Sequence, residues 1–252
     1  MSPDRTDQPA PRAALEPVSV EFRVDFHSHT RASPDAWTRP SELVARARDV
    51  GLDRIAVTDH HTLDGALEAH ALDPALVIVG EEIRTRAGTE LIGLFLSELI
   101  PPGLPFEETI LQIRAQGGVV YAPHPSAYPR GTEGHERRAL AAADLAEGWN
   151  GRAFWPPWNH RAESVARRLG VATAAGSDAH FPWEVGRAWT LIAPFRTAAD
   201  LLAVRHTARV GARGLGTPLP CVASLALETA RRIMRRLPWP QAPTPTSAPG
   251  VP

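Results

Sequence analysis

Residues 20–30 read VEFRVDFHSHT, a β-branched and aromatic run that ends in polar side chains. Side chains two residues apart on a strand point to the same side, so Asp25, His27 and His29 share one face of the predicted strand. The segment therefore predicts a buried strand that brings two imidazoles to one point. By itself the His-X-His pair is weak evidence for a metal site, because a hydrogen-bonded structural pair has the same sequence.

Strand-like runs of this kind alternate with amphipathic segments along the chain. Helices are predicted to begin near Pro40, Thr62, Phe106, Asn159 and Ala198. The intervening strands are RIAVTD (54–59), ALVIVGEEI (75–83), ELIGLFL (90–96), GGVVYAPH (117–124), DLAEGWN (144–150), VATAAGSD (171–178) and RAWTLIA (187–193). This alternation predicts an α/β fold with a largely parallel sheet, either closed as a barrel or open and doubly wound. No GxGxxG motif opens a helix, which disfavours a nucleotide-cofactor fold.

Composition divides the chain into four segments. Residues 1–20 and the Pro-rich residues 237–252 lack periodicity and are expected to be disordered. Residues 21–216 form the predicted α/β domain, and residues 217–236 form an amphipathic helix that ends in several arginines. That helix could dock on its own domain, lie on an anionic surface or bind a partner, and docking is the favoured interpretation.

The charge and residue content exclude several classes of protein. All 27 basic residues are Arg, which excludes a Schiff-base lysine and the lysine of a P-loop. The single Cys221 excludes an internal disulfide and a thiolate metal cage. A net charge of -1 gives no general affinity for nucleic acid, and no apolar run is long enough to span a bilayer or serve as a signal core. We therefore expect a cytoplasmic protein.

Most of the predicted strands end in potential metal ligands. These are His27 and His29, Asp59 and His60, Glu81 and Glu82, His124, and Asp178 and His180. In parallel α/β folds the C-terminal strand ends gather the functional groups. Nitrogen and oxygen ligands without sulfur suit Zn²⁺, Mn²⁺ or Fe²⁺. There are too many ligands for one ion, which indicates at least two metals whose joint use is hydrolysis at phosphorus.

Five motifs in this order resemble the polymerase and histidinol phosphatase (PHP) family of metal-dependent phosphoesterases. They are HSHT followed by Ser33 and Asp35, TDHHT at 58–62, GEEI at 80–83, PHP at 123–125 and GSDAH at 176–180. The resemblance covers about residues 22–215. It implies a distorted (β/α)7 barrel with a site for two or three divalent ions at the C-terminal mouth of the strands.

The resemblance also implies a role for each matching residue. One metal would be held by His27, His29, Glu82 and Asp178, and Glu82 would bridge to a second metal that His124 also holds. The third metal would be held by Asp35, His60 and His180. The segment ASPDAW departs from the shorter turn that is familiar in the family, which affects the geometry of this third site. A further ligand should lie between His124 and Asp178, and Glu147 and Asn150 are candidates for it.

The implied mechanism is attack on phosphorus by a metal-bridging hydroxide. It places His60, His180 and Asp178 among the catalytic residues, with either imidazole protonating the leaving alkoxide if it is not fully committed as a ligand. Arg31, Arg130 and Arg187 lie near the motifs and could bind a substrate phosphate, although solvated surface charge is the favoured interpretation for each.

The expected substrate is a small phosphomonoester, a nucleotide or a short oligonucleotide. Trp155 and Trp158 could stack on a base or simply pack on the barrel. A related hydrolase of esters or carbamates would use nearly the same ligands. The alternative of a different class is a non-catalytic metal-binding barrel that docks a partner through the helix near 222–236. The sequence does not determine the native metal or the oligomeric state.

Overall fold

The computed structural model describes residues 20–125, 133–212, 216 and 218–236, and it contains nine strands and seven α-helices within them. The strands are β1 (Phe22–Asp25), β2 (Arg54–Val57), β3 (Val77–Arg84), β4 (Glu90–Leu94), β5 (Val119–Ala122), β6 (Leu145–Asn150), β7 (Ala172–Gly176), β8 (Ala188–Ile192) and β9 (Arg209–Ala212). The helices are α1 (Pro40–Asp49), α2 (Asp64–Leu72), α3 (Phe106–Ala115), α4 (Glu133–Ala142), α5 (Pro156–Arg168), α6 (Ala198–Val204) and α7 (Pro218–Arg236). Residues 1–19 and 237–252, for which we predicted disorder, lie outside the described residues.

The strands form one sheet in the order β7-β6-β5-β4-β3-β2-β1-β8-β9. The sheet curls back on itself, because the backbone amide of Phe26 donates to the carbonyl of Ala175 at 3.2 Å and Ser28 forms an isolated parallel bridge with Ala179. These contacts join the first strand to the end of β7 and nearly close the sheet. The predicted α/β barrel is confirmed.

Three strands run against their neighbours. β4 is antiparallel to both β3 and β5, β8 is antiparallel to β1, and β9 is antiparallel to β8. Only residues 85–89 connect β3 to β4. A parallel crossover needs a dozen or more residues, so this short connection permits only a hairpin. Gly88 takes a positive φ of 84° within the turn.

Alternate residues of the strands serve two separate cores. On β3, Ile78 faces the barrel interior with Val24, Phe26 and Tyr121. Its neighbours Val77 and Val79 pack toward the helices, in a cluster with residues of α1, α2 and α3. A strand that is buried on both sides reads as a continuous apolar run, as residues 76–79 do. This alternation sends adjacent polar residues at the strand ends in opposite directions.

Helix α7 contacts the barrel at the end where the strands terminate. Arg231 Nη1 donates to the carbonyl of Ser33 at 2.7 Å, and Arg152 Nη2 donates to Ser224 Oγ at 2.9 Å. Of the interpretations offered for this segment, the structure shows the docked one. In the part of the chain that the structure describes, no helix is long and apolar enough to cross a membrane.

Candidate metal centre

Side chains from most of the sequence motifs meet at one mouth of the barrel. Among the residues that the structure describes, four overlapping groups are found, and within each group the donor atoms lie within 4.8 Å of one another. They are His27, His29 and Glu82; His27, His124 and Asp178; Glu82, Glu90 and His124; and His29, His60 and His180. Asp25 shares the first motif but points elsewhere, and its carboxylate accepts from the backbone amides of His27, Ser177 and Gly186.

Strand ends position these side chains, and two of the residues adopt an unusual backbone. His124 and Asp178 have φ values of 23° and 52°. Non-glycine residues rarely adopt positive φ, and such residues concentrate at functional sites. The amide of His124 donates to Glu147 Oε2 at 2.6 Å, and the amide of Asp178 donates to the carbonyl of His27 at 2.8 Å. These bonds hold both side chains toward the centre.

The first group fits the inner shell of a divalent ion. The Nε2 atoms of His27 and His29 are 3.0 Å apart, and each lies 3.3 Å from Glu82 Oε2. Asp178 Oδ1 lies 3.6 Å from His27 Nε2 and 3.4 Å from His29 Nε2. With metal–ligand bonds of about 2.0–2.2 Å, neighbouring ligand atoms are expected at about these separations. The donor set of imidazole and carboxylate suits Zn²⁺, Mn²⁺ or Fe²⁺.

The electrostatics of the buried groups also favour a bound cation. Burial lowers the pKa of His29, but hydrogen bonds to Asp178 and Glu82 outweigh this effect and raise the pKa to about 9. Burial raises the pKa of Glu82, but the neighbouring His60 and His27 hold it well below its usual value. Carboxylates that stabilise positive charge on an imidazole will stabilise a divalent cation in the same place. The metal and the protons therefore compete for these ligands.

A second group contains Glu90, which our sequence analysis missed. His124 Nε2 lies 3.1 Å from Glu82 Oε1 and 3.9 Å from Glu90 Oε2. Burial and the charge of Glu82 raise the pKa of Glu90. Because β4 is antiparallel, Glu90 at its beginning lies at the same edge of the sheet as Glu82 near the end of β3. The short β3–β4 connection was the signal that could have identified it.

A third group consists of His29, His60 and His180, and Asp35 lies beside the last two. His180 Nε2 is 2.9 Å and His60 Nε2 is 3.5 Å from Asp35 Oδ2. Burial raises the pKa of Asp35, but hydrogen bonds from His180 and His60 outweigh it and hold the pKa far below its usual range. The structure therefore brings Asp35 to the centre even though ASPDAW departs from the familiar turn.

Glu147 contacts the His27 ring at Nδ1, the nitrogen that does not face Glu82. Its Oε1 lies 3.1 Å from His27 Nδ1, and its Oε2 accepts from the amide of His124 and from Asn150 Nδ2 at 3.0 Å. Asn150 Nδ2 also lies 3.2 Å from Asp178 Oδ2. Both residues named as candidates for the additional ligand therefore contact groups of the centre.

Two of the three arginines that were named as candidates to bind phosphate lie near carboxylates that are not candidate metal ligands. Arg31 is about half exposed and lies 4.0 Å from Glu68, while Arg187 lies 3.8 Å from Glu184. Arg130 lies outside the described residues. Arg152, which no motif indicated, is buried, and nearby carboxylates led by Asp178 raise its pKa despite the opposing effect of burial.

A cavity of about 420 Å³ opens beside the centre. It is lined by Asp35, His124, Asn150, Arg152 and Asp178, and by residues of the loop before α5, of α5 itself and of α7. A volume of this size is within the range of sites for small molecules. The candidate metal ligands thus form one wall of a space that can hold an organic ligand.

Comparison with known proteins agrees with this geometry. A family model described as PHP domain matches residues 25–112, and one described as PHP-associated matches residues 156–209. An uncharacterized protein of Methanocaldococcus jannaschii is 41% identical over 174 residues, which are 67% of this chain and 69% of the relative. A second uncharacterized protein of that organism is 40% identical over 117 residues, which are 41% of this chain and 68% of the relative.

Solved structures show a similar fold. A two-domain protein from Bacteroides vulgatus, described as containing a predicted PHP-like metal-dependent phosphoesterase, matches with a TM-score of 0.65 at 18% identity. The match covers 88% of this chain and 74% of that one. At this level of identity the likeness concerns the fold.

Proposed function

This chain belongs to the PHP family, and we propose that it hydrolyses phosphate esters with two or three divalent metal ions bound at the mouth of its barrel. The observation that carries the proposal is the convergence of imidazoles and carboxylates beside a cavity of about 420 Å³. The motif order and the family models support it. The substrate we propose is a small phosphomonoester or nucleotide.

We assign the metal ligands to three groups. His27, His29, Glu82 and Asp178 would hold the first ion; Glu82, Glu90 and His124 the second; and Asp35, His60 and His180 the third. Bound there, the ions would polarise the phosphoryl oxygens and activate water for attack on phosphorus. The shared carboxylate of Glu82 reaches both of the first two groups, since its Oε2 faces His27 and its Oε1 faces His124.

The protein's own side chains supply the remaining functions. Arg152 lines the cavity, and its buried positive charge would attract and orient the substrate phosphate. His60 and His180, the two imidazoles named as proton donors, could protonate the leaving alkoxide only in a state in which the third ion does not occupy their ring nitrogens. Each of the two rings has an oxygen atom within 3.5 Å of each of its nitrogens. The side chain of His60 is 23% exposed and that of His180 is 3% exposed, so His60 is the more accessible of the two.

The experiment is hydrolysis of a panel of phosphomonoesters, phosphodiesters, nucleotides and short oligonucleotides by Mn²⁺- or Zn²⁺-loaded protein. Glu82→Gln should lower phosphate release by about 100-fold or more, since it removes a shared ligand. Glu81→Gln is the matched control, because the neighbouring side chain faces the helices and accepts from the amide of Ile100. If the metal-loaded protein released no phosphate from any substrate, the proposal would be wrong, and esters and carbamates would be tested next.

A further inference from the structure

The cavity beside the candidate metal centre has a wall that does not belong to the barrel. Cys221, Ser224, Leu225 and Glu228 of α7 line it. They lie on one side of the helix, with spacings of three and four residues. Helix α7 therefore borders the space in which a substrate would lie. The sequence had allowed this helix to dock on its own domain, to lie on a membrane or to bind a partner.

Three contacts hold α7 in this position. Gly216, shortly before the helix, passes so close to Arg152 that a Cβ atom would lie 2.3 Å from the Arg152 carbonyl oxygen, so only glycine fits. Arg152 also donates to Ser224 Oγ, and Arg231 donates to the carbonyl of Ser33. Ser33 Oγ in turn accepts from the amide of His60 and donates to Asp59. The helix is thus tied to the loop that carries Asp35.

Part of the cavity lining is apolar. Phe154 and Trp158 pack edge to face, with ring centroids 5.1 Å apart, and both line the space. Leu225 of α7 is the apolar contribution from the helix and is 64% exposed. Aromatic rings and a leucine side chain around one space favour a flat, apolar ligand group.

Glu228 of α7 adds a carboxylate to the lining of the cavity. Its side chain is about one third exposed, and its partner on the helix is Arg232, at 2.7 Å and two thirds exposed. An exposed pair of this kind is weak and leaves the carboxylate able to accept another donor. On α7, Glu228 lies between Ser224, which accepts from Arg152, and Arg231, which donates to the carbonyl of Ser33. The phosphate of a substrate belongs with the candidate metal ligands and Arg152.

Resting on the phosphoesterase activity proposed above, we propose that α7 selects the leaving group of the substrate. Leu225, Phe154 and Trp158 contact an aromatic ring, and Glu228 accepts a hydrogen bond from an amine or hydroxyl attached to that ring. The substrate class is a phosphomonoester of an aromatic alcohol that also carries a hydrogen-bond donor.

The first test compares 4-(2-aminoethyl)phenyl phosphate, which carries an amine, with phenyl phosphate, which does not. In the metal-loaded wild type, kcat/KM should be higher for the amine substrate, and Glu228→Gln should reduce the ratio of the two values by about tenfold. Arg232→Ala is the matched control, because it breaks the ion pair on the helix without removing the carboxylate from the cavity. An unchanged ratio in Glu228→Gln, or an equal reduction in Arg232→Ala, would overturn the proposal.

A second test does not require turnover. The alcohol product, tyramine, should slow the reaction of Cys221 with a thiol reagent in the metal-loaded wild type, and the protection should weaken about tenfold in Glu228→Gln. Leu225→Ala should also weaken it, whereas Leu219→Ala, which is 74% exposed and does not line the cavity, should not. Protection without phosphate release would retain the ligand site and refute the phosphoesterase function. Phosphate release without protection would refute the role of α7 alone.

Discussion

His27 is oriented at both of its ring nitrogens. Nε2 faces His29 and Glu82, while Nδ1 faces Glu147 Oε1 at 3.1 Å. A carboxylate behind an imidazole fixes its tautomer and raises its basicity toward a metal. Since Glu147 uses its other oxygen for the His124 amide and Asn150, its contacts are those of a positioning residue.

Glu147→Gln should therefore lower metal affinity by about 10- to 100-fold, because these contacts orient the ligands without supplying one. Metal titration checks the affinity, and activity should return when metal is in large excess. Glu163→Gln, an exposed residue paired with Arg167, is the control and should have no effect. If excess metal did not restore activity to Glu147→Gln, Glu147 would instead be a ligand, as the sequence allowed.

At this scale the sequence predicted the site from motif residues that the structure brings together. His27, His29, His60, Glu82, His124, Asp178 and His180 all occur in the groups at the barrel mouth. Glu90 and Arg152 were missed for different reasons. Glu90 reaches the centre because β4 is antiparallel to β3, and Arg152 reaches it because the chain turns after β6. A local sequence motif shows neither the direction of a strand nor the turn that follows it.

The third strand carries two adjacent acids with opposite surroundings. Glu82 faces the imidazoles, while Glu81 is buried on the helix side, where its Oε2 accepts from the Ile100 amide. Burial raises the pKa of Glu81 from 4.5 to about 7. Between these two values the folded state binds more protons than the unfolded state, so stability falls as pH rises through this range.

Glu81→Gln should remove this pH dependence, because the amide stays neutral and can still accept from Ile100. The variant should match the wild type near pH 4.5 and exceed it above pH 7 by up to about 3 kcal/mol in the free energy of unfolding. Urea denaturation at pH 5 and pH 8 measures the difference. Parallel stability curves for the two proteins across this range would contradict the expectation.

The contact between β1 and β7 depends on the absence of a side chain at Gly176. A Cβ atom there would lie 2.3 Å from the His27 Cβ and 2.5 Å from Glu147 Oε1. Gly176→Ala should destabilise the fold by about 1–3 kcal/mol and weaken metal binding, since His27 must move. Denaturant unfolding and metal titration test both effects. An alanine variant within about 0.5 kcal/mol of the wild type would show that β1 and β7 separate easily.

The sequence predicted most of these elements but not all of their directions. Apolar runs located β1 to β8, and α5 begins at Pro156, three residues before its predicted start. β9 and α4 were not predicted. A strand's direction depends on its connection and its partner, so the antiparallel β4 and β8 could not be read from their own residues.

At the scale of the whole molecule, the centre links distant parts of the barrel. Its candidate ligands follow or belong to β1, β2, β3, β4, β5 and β7. Ions held by these residues would bind the folded chain, which brings the ligands together, and would therefore add to its stability. Metal content and thermal stability are therefore linked.

Removing the metal with a chelator should lower the melting temperature. At a free metal concentration about 100 times Kd, one site adds about 2.7 kcal/mol. For a domain of this size that corresponds to about 5–10 °C. Scanning calorimetry of loaded and chelated protein measures the shift, and Glu82→Gln should show a smaller one. Equal melting temperatures with and without metal would contradict binding at the shared site.

The candidate ligands are distributed along the sequence from His27 to His180. Their order in the sequence also determines when each part of the centre can form during synthesis. Side chains leave the ribosome in chain order, so the imidazoles of the first motif emerge long before Asp178. The group of Glu82, Glu90 and His124 is complete earlier than the other two. A nascent chain can therefore gather that group first, and the first and third ions must wait until the end of β7 has been released.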